Sequence, residues 1–493
     1  MIRSPIALCR LLPIACAVAL LAGCASARRH PPPVVNLPAH WTAYDATPEM
    51  LPTSVPGTSA PSAAGSIPPE WWRSFGDRVL DRLIDDVLAV NNDLAAAAIR
   101  VYRAQLQAGL VATNLTPDAT FGGTGSVSRP LDSHRTSRTS SQSGALTYEL
   151  DLWGRLAAQR DAARWAADAT QADRDAVRLS LIGTTAALYW QIGYLNQQIG
   201  LGDADIAYAE RTLALVRARH VAGAVSGLDV AQAEQNLSAQ RAAQTQLIQQ
   251  RTENRHTLAI LFDRPPQAQG AEPAGLPDRP LPAVPAGMPA DLLGRRPDLR
   301  AAEFRLRELL ANVDITRTSF YPSFTLTGSI GTSSASLGRV LSNPVATLGV
   351  GLALPFIQWN TMQLQIKVSQ SQYEEAVVNF RQQLYTALSE VENALSARVQ
   401  LEREGEQHTL SMAQARRAEA LARARFAAGA IGVQPWLDEQ QRLRNAQSAD
   451  ALNRLNRLNN RMNLYRALGG GDHLPDSNSH DPCTPESAVL CDT

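Results

Sequence analysis

The chain has 493 residues, and its 46 Lys and Arg balance 46 Asp and Glu, so the formal net charge at pH 7 is zero. This balance gives no support to a nucleic-acid partner, and the length exceeds what one ordinary hydrophobic core organises. Aromatic residues make up only 5% of the chain, while Ala, Arg and Gln crowd its long runs, a composition typical of extended helices.

The first 23 residues have the features of a lipoprotein signal peptide. Arg3 and Arg10 give a positive start, and the apolar run from Leu11 to Ala22 is too short to span a bilayer as a mature helix. The run ends in Leu-Ala-Gly-Cys24, which resembles the bacterial lipobox and implies an N-palmitoyl, S-diacylglycerol cysteine at Cys24. The alternative is an ordinary signal peptide with an incidental cysteine.

Three segments are predicted to lie outside the structured repeats, as a tether, a linker and a tail. Residues 24–69 form a Pro/Ser/Ala-rich stretch that predicts an extended N-terminal tether, with plain disorder as the alternative. Residues 264–290 carry eight prolines and predict a linker, and residues 469–493 predict a disordered tail. In an oxidising compartment Cys483 and Cys491 could pair in that tail. No ligand spacing indicates a metal site, and no cofactor is expected.

A duplicated segment organises the chain. Ala214–Val225 and Ala420–Ile431 are identical at 8 of 12 positions, and in each a Pro-free run meets a glycine, Gly223 or Gly429. Because glycine supplies the left-handed conformation that ends a helix, each copy predicts the turn of a helical hairpin. Other matches at nearly the same offset predict two structural repeats, at 70–263 and 291–468.

Four segments predict strands with an apolar face and a face of small or polar residues: Thr120–Arg129, Ala145–Leu152, Ser323–Ile330 and Thr347–Phe356. A polar loop is expected at Pro130–Ser143. This alternation suits a half-buried sheet of a soluble protein, or a membrane barrel with lipid outside and water inside. We favour the barrel. Four strands cannot close one, so several chains would have to pool their strands.

Long helices follow each strand pair. Arg155–Arg219 would form a helix of 65 residues, roughly 97 Å long at 1.5 Å per residue. Apolar residues recur every seven residues in each of two rows, and the rows are offset by four residues, as in the seam of a coiled coil. These residues are Leu181, Leu188, Leu195, Ile192, Ile199, Ile206 and Leu213. A soluble coiled coil is the simpler interpretation, but it leaves unexplained the strands that join these helices directly.

Three motifs resemble those of a known family: Tyr148–Arg155, Leu292–Glu303 and Phe320–Gly328. They are similar to the trimeric outer membrane factors, the TolC/OprM-type channels, and within them to the NodT-type efflux lipoproteins. The resemblance implies an α+β membrane protein with a 12-strand transmembrane β-barrel, four strands from each of three chains. That barrel would continue into a long periplasmic α-helical coiled-coil barrel. Gln358-Trp359-Asn360 departs from the family's usual Gly-containing turn.

The same resemblance implies a function. The chain would be the outer membrane channel of a tripartite efflux system, lipid-anchored and extending into the periplasm. It would passively conduct substrates delivered by a periplasmic adaptor and an inner-membrane pump. A lipidated adaptor with helical hairpins is the alternative, but adaptors generally carry one hairpin within small β domains. An enzyme is a weaker alternative, since the catalytic motifs for acyl, phosphoryl or metal chemistry are missing.

A periplasmic gate is expected at the two hairpin tips. By resemblance, acidic residues placed like Asp229 and Asp438 close the channel, while the Tyr and Arg of the best-known member fall on Phe426 and Ile431. Three symmetry copies of an aspartate would repel and raise the carboxylate pKa. The alternative role is helix capping, because Ser226 and Asp229 resemble a capping pair. Phe426 is the next candidate for an apolar constriction.

Overall fold

The computed structural model describes residues 37–42, 67–132, 136–267, 270–284, 289–335, 342, 344–355 and 358–471. Cys24, Cys483, Cys491 and Phe356 lie outside these residues, as do the predicted signal peptide and most of the predicted tail and tether. The chain divides into two compact units. Of the described residues, 102–169 and 302–381 form what we call the sheet unit, and 37–101, 170–301 and 382–471 form the helical unit.

The element order repeats along the chain. The first half contains α1 (Arg78–Val90), α2 (Asn92–Ala112), β1 (Asp118–Ser128), β2 (Ser137–Leu150), α3 (Arg155–Val221) and α4 (Gly227–Leu261). The second half contains α5 (Leu292–Arg295), α6 (Pro297–Thr318), β3 (Ser323–Ser334), β4 (Pro344–Ala353), α7 (Trp359–Ala427) and α8 (Val433–Ala467). Corresponding long helices have 67 and 69 residues, and the helices that follow them have 35 each.

None of the helices in the described part of the chain combines the length and apolarity needed to cross a lipid bilayer.

The sheet unit holds one antiparallel sheet with strand order β1-β2-β3-β4. The predicted strands are present, but β2 begins at Ser137, so the expectation of a loop through Ser143 is wrong. Ser137–Ser143 pairs along its length with the hydroxyl-rich end of β1, and Thr124 and Ser141 share a hydrogen bond of 2.6 Å. Cross-strand hydroxyl pairs stabilise a sheet without any apolar alternation, so the period-two signal missed this segment.

The predicted start of β3 at Ser323 is confirmed, while most other strand boundaries shift by one to four residues. The first strand starts at Asp118 instead of Thr120, and β3 continues to Ser334 instead of ending at Ile330. The strand β4 runs from Pro344 to Ala353, so it begins three residues earlier than predicted. Leu152 lies beyond β2, in the turn that leads into α3.

A cluster of aromatic rings fills one part of the helical unit. Trp71 and Trp72, in a short 3-10 helix, are 2% and 1% exposed. The Trp71 ring stacks on Tyr465 of α8 with ring centroids 4.7 Å apart, and Phe75 packs on Trp190 of α3. Burial of such large rings contributes several kcal/mol each to stability, so this cluster fixes α3 and α8 to the segment that precedes α1.

Of the three glycines after α8, Gly470 and Gly471 pack against this same segment and Gly469 packs against the backbone of Arg295, so the prediction that order ends at Gly469 is wrong. Gly469 and Gly470 have φ angles of 92° and 72°, and both are buried. A Cβ added to Gly471 would lie 2.1 Å from the backbone oxygen of Pro68. The run is therefore a close-packed contact that only glycine permits. A run of glycines in sequence also resembles the start of a disordered tail, which is why the prediction failed.

The inter-repeat linker is held along much of its described length. Glu272 forms an ion pair with Arg255 of α4, and Asp278 forms one with Arg454 of α8. Leu276 is 8% exposed. Part of the predicted tether is also held, since Thr42 donates backbone and hydroxyl hydrogen bonds to Glu392 of α7. Both segments thus bind the helical unit through specific side chains.

Candidate functional site: the sheet faces and the hairpin tips

One face of the sheet is apolar and exposed. Leu348 is 92% exposed, Phe121 82% and Val350 72%. The register places apolar residues of neighbouring strands beside one another: Leu326 pairs with Tyr148 on β2 and with Val350 on β4. Exposed apolar surface that continues across four strands is costly in water, and it matches the lipid-facing band of a membrane strand.

The opposite face is built almost entirely from Ser, Thr, Gly and Ala. Its side chains alternate with the apolar ones along every strand, and they include Thr120, Thr124, Ser141, Ser143, Thr147, Thr325, Thr327, Ser329 and Thr347. The acidic residue Glu149 on this face is paired with Arg155, whose guanidinium lies 2.6 Å from the carboxylate. This face is therefore polar and compatible with water.

An aromatic pair marks the end of the sheet from which the helices start. The Trp153 indole donates a hydrogen bond of 2.6 Å to the backbone oxygen of Pro322, and its ring meets Tyr321 edge-on at 5.4 Å. Trp and Tyr concentrate at the boundary between lipid and water. The position of Trp153 directly after a predicted strand is the sequence signal for this role.

Each hairpin tip turns at the glycine that the duplicated segment contains. Gly223 and Gly429 have φ angles of 70° and 72°. In the first turn the N–H of Ala224 donates to the oxygen of Arg219, and in the second the N–H of Ala430 donates to that of Arg425. Both turns are Schellman motifs, in which a left-handed residue satisfies the last carbonyls of a helix.

Asp229 lies in a capping box at the start of α4. Its backbone N–H donates to the Ser226 hydroxyl at 3.3 Å, and its carboxylate accepts from the Ser226 backbone N–H at 2.8 Å. Hydrogen bonds from Ser226, and one from the backbone N–H of Val433, hold the pKa of Asp229 below its usual value. Within one chain these hydrogen bonds lower the pKa of Asp229. From the sequence we expected the opposite, a rise caused by the like charges of the other two copies.

The second tip depends on the first for its caps. Gly432 precedes α8 and provides no side-chain cap, and Asp229 reaches the Val433 N–H at this position. At the other side of the turn, Arg219 donates to the oxygens of Phe426 and Ala427 at 2.7 and 2.8 Å. An acid at a helix N-terminus and a base at a helix C-terminus both match the helix dipole.

Phe426, the candidate for an apolar constriction, is buried within its own chain. The ring is 1% exposed, stacks on Trp436 at 5.0 Å and lies 4.6 Å from the Arg219 guanidinium. Under it, Glu419 accepts from the Tyr208 hydroxyl at 2.7 Å and from the Trp436 indole at 3.0 Å. Burial and the Glu419 hydrogen bond raise the pKa of Tyr208 to about 12.

Asp438 is exposed near the start of α8. Its carboxylate accepts a hydrogen bond of 2.7 Å from the Gln434 amide, one helical turn earlier. Asp229 and Asp438 therefore have different surroundings, since the first bridges two helix starts and the second lies on a solvated helix surface. The described residues include no group of His, Cys, Asp or Glu side chains placed to hold a metal ion.

Sheet, long helices and paired tips together define an outer-membrane channel fold, and comparison with known proteins agrees. Residues 83–262 and 288–470 match the family model described as outer membrane efflux protein, so the chain belongs to that family. The family is a transport family.

Two relatives and one solved structure illustrate the match. The pyoverdine export outer membrane protein OpmQ of Pseudomonas putida is 33% identical over 84% of this chain and 91% of its own length. The probable efflux pump outer membrane protein TtgC of the same species is 30% identical, over 94% and 95%. The open MtrE outer membrane channel of Neisseria gonorrhoeae has a TM-score of 0.77 at 28% identity, covering 91% of this chain and 98% of MtrE.

These comparisons confirm the predicted family, fold class, efflux role and outer-membrane location. They favour the channel over the adaptor alternative. The predicted homotrimer and the adaptor and pump partners are those of the homologous channels.

Proposed function

We propose that three copies of this chain form one outer membrane channel by pairing β4 of each copy with β1 of the next. The observation that supports this proposal is a sheet with an exposed apolar face and two unpaired edge strands. It exposes an apolar face, yet among the described residues β1 and β4 pair on one side only. Unpaired edges are not tolerated in lipid, and twelve pooled strands remove them.

The two sheet faces then have separate roles. The Leu, Phe and Val face contacts lipid, and the Ser and Thr face lines a water-filled pore. Substrates pass through this pore passively, delivered by a periplasmic adaptor and an inner-membrane pump, and we infer that the chain performs no catalytic step. The relatives are named for different cargoes, pyoverdine among them, so the proposal concerns the conduit and not the cargo.

Substituting Leu348→Arg tests which face meets the membrane. Leu348 lies on the apolar face in the middle of β4 and is 92% exposed. An arginine there should destabilise the barrel by about 2–4 kcal/mol, the cost near the midplane, measured as loss of heat-resistant trimer in outer membranes. Thr347→Arg, on the opposite face of the same strand, is the control and should still assemble. A monodisperse monomer of the unmodified chain in mild detergent would contradict the proposal.

We further propose that the acids at the tips narrow the periplasmic end. Asp229 is half-buried and Asp438 is exposed, and the lowered pKa keeps Asp229 ionised at neutral pH. In a trimer each would form a ring of three carboxylates that attracts cations. Asp229→Ala and Asp438→Ala should therefore weaken cation block of the pore in planar bilayers. Wild-type block in both single variants and in the double variant would leave capping as their only role.

Lipid attachment at Cys24 completes the proposal. Mass spectrometry of the mature N-terminal peptide should show a triacylated cysteine, and a free thiol would contradict it. Cys24→Ala should still assemble, because the barrel by itself holds the protein in the membrane.

A further inference from the structure

A polar cleft lies among four helices of the helical unit, and its volume is about 550 Å³. It is bounded by α3, by the start of α6 and by parts of α7 and α8. This volume falls within the roughly 300–1,000 Å³ of sites for small molecules, so the cleft has room for an organic ligand. The side chains that make it polar are those of Arg296, Asp298, Glu390, Asn393, Asn463 and Arg466.

Three of these side chains form a group with a net negative charge. The buried Arg296 guanidinium donates to both oxygens of Asp298, at 3.0 and 2.8 Å, and to one oxygen of Glu390 at 2.6 Å. Two carboxylates therefore share one guanidinium, which leaves one formal negative charge. The Glu390 side chain is 51% exposed, and its second oxygen accepts no hydrogen bond from the described residues. This oxygen is open to a positively charged ligand group.

Arg466 of α8 brings the opposite charge to the cleft. Within the described part of the chain its guanidinium makes one hydrogen bond, to the Asn463 side chain at 3.5 Å, which is longer than an ordinary hydrogen bond. No carboxylate of the described residues lies within ion-pair distance of it. A guanidinium keeps its proton in proteins, so Arg466 offers an uncompensated positive charge with N–H donors to spare.

A glycine of α3 makes the space in which the Arg466 side chain lies. A Cβ added to Gly183 would come within 2.3 Å of the Arg466 Cδ and within 3.3 Å of its Nη1. Glycine inside a helix costs about 1 kcal/mol relative to alanine, and Gly183 lies well inside the 67 residues of α3. The close approach explains why a glycine is found there, and it fixes the guanidinium at the cleft.

We propose that this cleft binds small molecules that carry both a carboxylate and a protonated amine, such as short peptides with free ends. A guanidinium fork binds both oxygens of a carboxylate, so Arg466 binds the acidic group of the ligand. Glu390 binds the ammonium group, and the Asn393 side chain is a further hydrogen-bonding partner. A ligand with only one of these charges leaves one side of the cleft unpaired. Binding here does not require conduction, so the channel function proposed above can hold without it.

Titration of the purified full-length trimer with trialanine, followed by saturation-transfer NMR, tests this binding. Trialanine with both ends free should bind about fivefold more tightly than its N-acetylated or its C-amidated form, because each modification removes one ion pair. In Arg466→Gln the free and the C-amidated peptide should have equal Kd values, since the partner of the carboxylate is gone. Arg454→Gln is the matched control on the same helix, because Arg454 pairs with Asp278 and does not line the cleft. It should keep the preference of the unmodified chain.

Gly183→Ala displaces the Arg466 side chain while every charge remains. Alanine favours a helix, so this variant should fold, and it should weaken the binding of free trialanine. Equal Kd values for the three peptides, absence of saturable binding, or equal effects of Arg466→Gln and Arg454→Gln would overturn the proposal. If Arg466→Gln does not assemble, an unchanged Kd in Gly183→Ala overturns it instead. The NMR titration does not measure conduction, so its failure would be distinct from a failure of the channel function.

Discussion

The two hairpin tips share most of their sequence and differ in how they are held. The first tip has its own cap, because Ser226 and Asp229 form a complete capping box. The corresponding positions of the second tip are Gly432 and Pro435, which provide no side-chain cap. The second tip instead receives its charged caps from Arg219 and Asp229 of the first. The two turns are therefore alike in backbone, but the second depends on the first for its caps.

The largest expected effect comes from the position at which the tips differ most in burial. Phe426 is 1% exposed, whereas His220 at the matching position is exposed. Phe426→Ala should destabilise the tip by about 3–5 kcal/mol, because it removes a buried ring and leaves a cavity. His220→Ala should cost at most about 0.5–1.5 kcal/mol, because it removes one exposed hydrogen bond between the His220 ring and the Val225 oxygen. Hydrogen exchange of tip peptides, followed by mass spectrometry in the purified trimer, measures both.

Arg219 and Arg425 occupy matching positions and provide the next comparison. Arg219 donates to two backbone oxygens of the second hairpin and lies over the Phe426 ring. Arg219→Ala should destabilise the second tip by about 1.5–3 kcal/mol, the range for hydrogen bonds from a charged group. Arg425 is exposed, and Arg425→Ala should leave hydrogen exchange unchanged. Equal effects of the two substitutions would contradict the inference that the second tip depends on the first but not the first on the second.

Exchanging the caps should make the tips more alike. Ser226→Ala should destabilise the first tip by about 1 kcal/mol. Gly432→Ser should stabilise the second tip by at most a similar amount, because Gly432 has the extended backbone of a cap residue, with φ −69° and ψ 176°. Gly432→Ala is the control, because alanine adds the Cβ of serine without its hydroxyl, so any further stabilisation by serine comes from the hydroxyl. A serine that protects the second tip no better than alanine would argue against a missing cap.

The smallest expected effect is a dependence on pH. The pKa of Asp229 is lowered in the folded chain from a value of 3.8. Its contribution to stability is therefore complete above about pH 4 and is lost as the pH falls through the folded pKa. Wild type should melt at a higher temperature than Asp229→Asn at pH 6, and the difference should shrink below pH 4. A difference that stays constant down to pH 2 would mean that the charge of Asp229 contributes nothing.

Local features of the tips were predictable from the sequence. The glycines end Ala- and Arg-rich runs, and the Ser226–Asp229 spacing is a capping signature. The long helix after β2 ends within two residues of its predicted boundary, since Arg155–Val221 replaces Arg155–Arg219. Such features depend on residues close together in the chain, and a single sequence carries that information.

Features that depend on distant residues were not predictable. His220 and Phe426 have similar neighbours in sequence, yet only Phe426 meets Trp436 and Arg219 in the folded chain. The second acceptor role of Asp229 requires Val433 of the other hairpin. The sequence of the linker shows only that it is rich in proline. Its ion pairs with α4 and α8 depend on the three-dimensional fold.

The contact between Ser74 and Tyr465 has a consequence for how the chain is made. Their hydroxyls lie 3.2 Å apart although 391 residues separate them in sequence. Contacts of such separation form slowly, because the entropy of closing a very long loop must be overcome first. The aromatic cluster of the helical unit cannot assemble until the end of α8 has been synthesised. A chain still in translocation therefore lacks its finished helical unit, and assembly has to wait for the last helix.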